Sequence, residues 1–111
     1  MIEVYHFSPI DKPSPWSAEQ ARQPWEAGLY TKVATVEGWD LERAWRVTNN
    51  IDSSWSVEPA PGVVVDGQGY HLVQGGNKIG YRSSMVGDIF VVDGEPWVVA
   101  MVGFERLRGD Q

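Results

Sequence analysis

One stretch near the C-terminus constrains the fold more than any other. Ile89–Val92 and residues 97–102 are apolar runs rich in valine, separated by Asp93-Gly94-Glu95-Pro96. An Asp-Gly pair between such runs predicts a tight hairpin, because glycine accepts positive φ without steric cost and aspartate tolerates it. Val86-Gly87-Asp88 supplies a turn before the first strand, and Gly103 a bend or bulge after the second. This hairpin is expected at the core of the fold. It carries no recognisable catalytic motif, so it speaks to architecture rather than activity.

Upstream, Val4 and His6 alternate with Glu3, Tyr5 and Phe7, the period of a strand. Pro9, Pro13 and Pro15 follow closely; proline lacks a backbone donor and restricts its predecessor, so an irregular connection is expected there. Ser17 can cap one helical turn with Gln20 reaching back, and Pro24 and Gly28 should stop it. Residues 29–36 read as a strand, with Tyr30, Lys32, Ala34 and Val36 on one face and Thr31, Val33 and Thr35 on the other. Asp40 caps the clearest helix, residues 41–49, where Leu41, Ala44, Trp45 and Thr48 make one apolar stripe. Glu42 and Arg46 stand four residues apart on its opposite side. Asn49-Asn50 suits a left-handed terminus, with Ile51 folding back onto the last turn.

Residues 52–62 lose all periodicity and read as loop. Residues 63–65 and 70–73, joined by Asp66-Gly67-Gln68-Gly69, predict a second, shorter hairpin, and residues 74–80 a mobile loop tip. The last strand should end near Leu107, leaving residues 108–111 as a frayed tail. This order predicts a single α+β domain over residues 1–111. Its centre is a small, mostly antiparallel twisted sheet, or a partly closed barrel built by the strands after Gly62, with one amphipathic helix packed on it.

Composition narrows the function classes. With 111 residues, of which 42% are hydrophobic and 22% charged, the chain reads as globular rather than disordered. It has no cysteine, which excludes disulfides, thiolate metal sites and thiol catalysis and favours a cytoplasmic protein. No apolar run approaches the ~20 residues of a membrane helix, and the N-terminus lacks the basic region of a signal peptide. Nine basic against 15 acidic residues give a net charge of −6, which argues against binding a phosphate backbone. The acids are scattered, as ordinary solubility requires.

Thr48-Asn49-Asn50-Ile51-Asp52-Ser53-Ser54-Trp55 after the helix, and Arg82-Ser83-Ser84-Met85-Val86-Gly87-Asp88 before the hairpin, resemble two segments of small accessory proteins from bacteriophages, plasmids and actinobacterial genomes. Those proteins carry a Thr-Asn-x-Ile-Asp-x-x-Trp segment, then Arg-Ser-Thr-Ser-Val-Gly-Asp, a hairpin and a Gly-Phe ending. Here Ser84 and Met85 replace Thr and Ser, while Gly103-Phe104 keeps the ending. The resemblance spans roughly residues 30–107. It implies origin in a mobile element and carries over no functional residue.

Arg82, Ser83, Ser84 and Asp88 form the densest polar cluster. An arginine flanked by hydroxyls can hold a carboxylate or phosphate; the local alternative, which turn chemistry favours, has the serines and Asp88 satisfying turn amides while Arg82 pairs with an acid of the fold. His6 and His71 lack metal-ligand spacing, no nucleophile motif occurs, and residues 74–80 lack the spacing of a phosphate-binding loop, so neither metal, cofactor nor catalysis is expected. Six tryptophans are many for so short a chain. Trp45 and Trp97 have apolar periodic neighbours and should be buried. Trp16, Trp25 and Trp55 lie among polar and proline residues, so at least one should be exposed as an anchor for a partner, with Asp52 and Glu58 at the rim. The function expected is a non-enzymatic accessory protein that binds, and in its sharpest form inhibits, a host protein, or else pairs with itself. The alternatives are a small barrel-like nucleic-acid-binding module and an oligomerising phage structural protein.

Overall fold

Asp93 and Gly94 form the expected two-residue turn, both with positive φ (52° and 79°). They join β6 (Ile89–Val92) to β7 (Glu95–Val99) in register, Ile89 opposite Val98 and Val92 opposite Glu95. Around this hairpin the computed structural model describes residues 1–51 and 53–107. The remaining elements are β1 (Ile2–Phe7), α1 (Ala18–Glu26), β2 (Tyr30–Val36), α2 (Leu41–Val47), β3 (Val63–Val65), β4 (Tyr70–Leu72), β5 (Lys78–Gly80) and β8 (Phe104–Arg106).

Six strands make one twisted, antiparallel sheet in the order β3-β2-β1-β6-β7-β8, and β4 with β5 makes a separate ribbon. The fold is α+β and the sheet is open: β3 and β8 are its edges, so the barrel alternative does not form. β3 pairs with β2 rather than with β4. The second hairpin is instead β4–β5, built partly from residues expected to be a loop tip, with Tyr70 opposite Gly80. The expectation that the last long strand runs through residue 102 also fails. The chain leaves β7 after Val99 and turns through Gly103, at φ 72°, into β8.

Each face of the sheet carries a helix. Under α2 lie Ile2, Val4, Ala34, Val36, Phe90 and Val99, joined by Ala44 of the helix and by Trp55. Under α1 lie Ile89 and Val98, with Ala21, Leu107 and the rings of Tyr5, Trp25 and Tyr30. β2 reaches both faces because a bulge opposite Val4 and Tyr5 inserts Val33: Ala34 pairs with Val4, but Lys32 pairs with Tyr5. The extra residue breaks the simple alternation expected for this strand, turning Tyr30 toward α1 while Ala34 and Val36 face α2.

Both helix starts match their caps. Ser17 Oγ accepts from Gln20 N, and Asp40 Oδ1 accepts from Glu42 N and Arg43 N. α1 nevertheless runs nine residues, through Pro24, instead of one turn. Its last turn is held by Trp25, whose ring packs edge-on against Tyr5 at 5.0 Å and Tyr30 at 5.6 Å. Tertiary packing there outweighs the amide hydrogen bond that proline removes. α2 ends at Val47, and neither Asn49 nor Asn50 is left-handed. Ile51 is exposed rather than folded back. Asn49 caps through its side chain instead, donating to Trp45 O, while Asn50 links the following loop to the segment before β6, donating to Tyr81 O and accepting from Trp55 N.

The tryptophans are placed differently from expectation. Ala44 and Thr48 are buried but Trp45 is 38% exposed, so α2 turns Leu41, Ala44, Val47 and Thr48 inward and Trp45 out. Trp97 is half-buried, with Arg106 over its ring. Trp55, expected near the surface, is 3% exposed. The expected frayed tail lies outside the described residues.

Candidate functional site

The cluster around Arg82 is built where β1, α2 and the turn before β6 converge. Asp88 is fully buried. Its Oδ1 accepts from Phe7 N and Arg82 Nη2, both at 2.8 Å. Its Oδ2 accepts from Arg82 Nη1 at 2.7 Å and Met85 N at 2.8 Å. Four donors thus serve one carboxylate, two of them from a bidentate guanidinium. Arg82 also donates to Phe7 O and Ser83 O, and Ser83 Oγ accepts from Asn50 N. The residues singled out in the sequence are therefore brought together, and they bond chiefly to backbone and to each other, as the turn reading expects.

His6, which the sequence did not single out as part of this cluster, completes it. Its Nε2 lies 3.0 Å from Ser84 Oγ and 3.8 Å from Asp88 Oδ2. Thr48 Oγ1 donates to Ala44 O and stands 2.7 Å from Ser84 Oγ. The position of Asp88 matters chemically. A serine nucleophile needs an imidazole lone pair facing its hydroxyl and a carboxylate on the opposite ring nitrogen. Here Ser84 and Asp88 both stand on the Nε2 side of the ring. Ser84 itself is buried. The His6–Ser84–Asp88 set therefore does not have the geometry of a catalytic relay.

Burial sets the ionisation of this region. Desolvation lowers the His6 pKa to about 4, with Arg82 pushing the same way and Asp88 opposing, so the ring is neutral at pH 7. Tyr30, whose hydroxyl donates to Gly87 O at 2.7 Å, is driven up by burial and by the Asp88 charge.

The accessible feature is apolar. A groove of about 650 Å³ runs between α2, the turn at Met85 and Val86, and the β7–β8 connection. Trp45 and Arg46 form one wall, Met101 and Phe104 the other, and Met85 the end. Trp45, Met85, Met101 and Val102 are all exposed. A second groove of about 610 Å³ lies beside the proline-rich connection, between Lys12, Trp16, Gln20 and Leu29. Trp16 is 56% exposed at its rim, Trp25 packs from α1 onto the sheet, and Glu58 is exposed. Trp55 is enclosed and donates its indole N–H to Arg82 O. Asp52 lies outside the described residues. The four described residues predicted as a partner site, Trp16, Trp25, Trp55 and Glu58, thus do not converge. Met101 was missed as a groove residue because it continues an apolar run that reads as strand.

Among the described residues no cluster of His, Asp and Glu could hold a metal, and no helix is long and apolar enough to cross a membrane. The fold and surface define an open-sheet α+β chain with an apolar groove beside one sheet edge. No family model, curated protein or solved structure matches it.

Proposed function

We propose that this chain is a non-enzymatic binding protein that receives an apolar segment of a partner protein in the groove beside α2. One observation carries the reading: Trp45, Met85 and Met101 line one concavity and all are exposed. Indole and thioether side chains concentrated at a concave surface are the usual anchors of protein recognition. The buried polar cluster supports the same view, since its hydrogen bonds are directed inward and its histidine is neutral. If the chain serves a mobile element, as its resemblance implies, the partner is a cytoplasmic host protein whose activity the complex modulates.

Affinity capture from host lysate with the native chain and with Trp45→Ala tests this. A protein retained by the native chain and lost with Trp45→Ala supports the groove. Capture that is indifferent to Trp45→Ala rejects it. A mobility shift with DNA or RNA that weakens steeply with salt would favour a nucleic-acid module instead.

A further inference from the structure

We infer that the groove's partner binds as an added β-strand along β8, in extended form, with apolar residues toward the groove and a basic residue opposite Glu105. This rests on the groove reading and specifies its ligand. Ala100 N donates to Gly103 O and Leu107 N to Pro96 O, each at 2.9 Å. In an antiparallel ladder, hydrogen-bonded pairs alternate with non-bonded pairs. With 100/103 and 96/107 bonded, Val98 and Glu105 form the bonded pair between them. The N–H and C=O groups of Phe104 and Arg106 therefore point away from β7. None of them is hydrogen-bonded to a described residue outside the strand. At the opposite edge of the sheet the same counting turns Val63 and Val65 outward, and the Val63 N–H is taken by Ala60 O. Among the described residues β8 therefore offers one outward donor more than β3.

Side-chain direction links this edge to the groove. Phe104 packs on Phe90 and lines the groove, and Arg106 lies over the Trp97 ring on the same face. Glu105 points to the other face, where its Oε1 accepts from Ala18 N. An added strand alternates in the same way, so its residues beside Phe104 reach the groove while the one between them meets Glu105.

Charge selects the occupant. Arg106 is already paired with Glu95 at 3.2 Å, whereas the exposed Glu105 carboxylate has no cationic partner among the described residues, and the chain is at −6 overall. A lysine or arginine opposite Glu105 is favourable, and an acid there is not. The same rule disfavours a second copy in the register that covers all of β8. A two-fold pairing of two β8 strands, Phe104 against Arg106, sets Glu105 against its own symmetry mate.

The test selects binders from a displayed library of random dodecapeptides, then titrates the strongest by fluorescence anisotropy. Selected sequences should alternate apolar and Lys/Arg positions. Arg106→Pro removes one outward N–H without touching the β7 ladder. It should weaken binding about tenfold, the loss of one amide hydrogen bond, while Arg106→Ala does not. N-methylating the peptide one residue at a time gives the same readout on the native protein, and the losses should recur with period two. Binding lost with Trp45→Ala but indifferent to Arg106→Pro and to N-methylation overturns strand addition and leaves the groove standing. Sensitivity to the edge changes without sensitivity to Trp45→Ala keeps the strand and removes the groove. Acidic peptides, no selected peptide, or a native dimer that Arg106→Pro converts to monomer would each overturn the inference.

Discussion

Arg82 grips Asp88 with both guanidinium nitrogens, at 2.7 and 2.8 Å, and so ties the turn before β6 to the end of β1. The carboxylate is fully buried while the arginine side chain remains 39% exposed, so the desolvation cost falls mainly on Asp88. That carboxylate also accepts the amides of Phe7 and Met85. Removing it takes the acceptor from a half-buried guanidinium, from the buried Phe7 amide and from the part-buried Met85 amide. Asp88→Ala should cost about 3–5 kcal/mol of stability. Urea unfolding of the variant checks this; a midpoint equal to that of the native chain would show the pair to be ornamental.

His6 makes stability depend on pH. Its folded pKa, about 4, lies below the ordinary value of 6.5, so the unfolded chain takes up the proton first as pH falls. Stability is complete above pH 6.5 and declines as pH falls from there toward 4. Between pH 7 and pH 5 the loss should be about 2 kcal/mol, at 1.36 kcal/mol per pH unit below the unfolded pKa. His6→Leu, weaker overall because Ser84 loses a hydrogen-bond partner, should show a flatter profile over that interval. Denaturation at several pH values measures both slopes.

Two tryptophans should behave in the reverse of what their sequence neighbours suggest. Trp55→Ala removes an enclosed indole and its hydrogen bond to Arg82 O, for a cost of about 3–5 kcal/mol. Trp45→Ala opens no closed cavity, and its cost should stay below ~1 kcal/mol while partner binding suffers. Paired thermal melts separate the two.

Gly87 sits at φ 101°, and a Cβ there would stand 2.6 Å from Pro15 O. The obstacle is backbone, which cannot swing aside as a side-chain tip can. Gly87→Ala should therefore destabilise by about 1–3 kcal/mol, from left-handed strain and displacement of the proline-rich connection. Gly94→Ala, also at positive φ but with open space around it, should cost less. Comparing the two melting temperatures isolates the steric part.

What the sequence determined by itself is local. Asp93-Gly94 specified its turn, Ser17 and Asp40 their caps, and the alternation in β1 its two faces, because each depends on φ, a short hydrogen bond or a period of two among neighbours. The Arg82–Asp88 pairing was also within reach, since both ends share one short turn. Only the tertiary structure decided that β3 joins β2 instead of β4, because strand partners are chosen by competition among distant edges. It decided the bulge at Val33, which no period reveals, and the helix through Pro24, which the Trp25 ring cluster holds. It brought His6 to Ser84 across 78 residues of chain and closed the space around Trp55 while leaving Trp45 open. A tryptophan's neighbours in sequence say what it could pack against; which of them the fold leaves beside it is settled by where the sheet and helices finally lie.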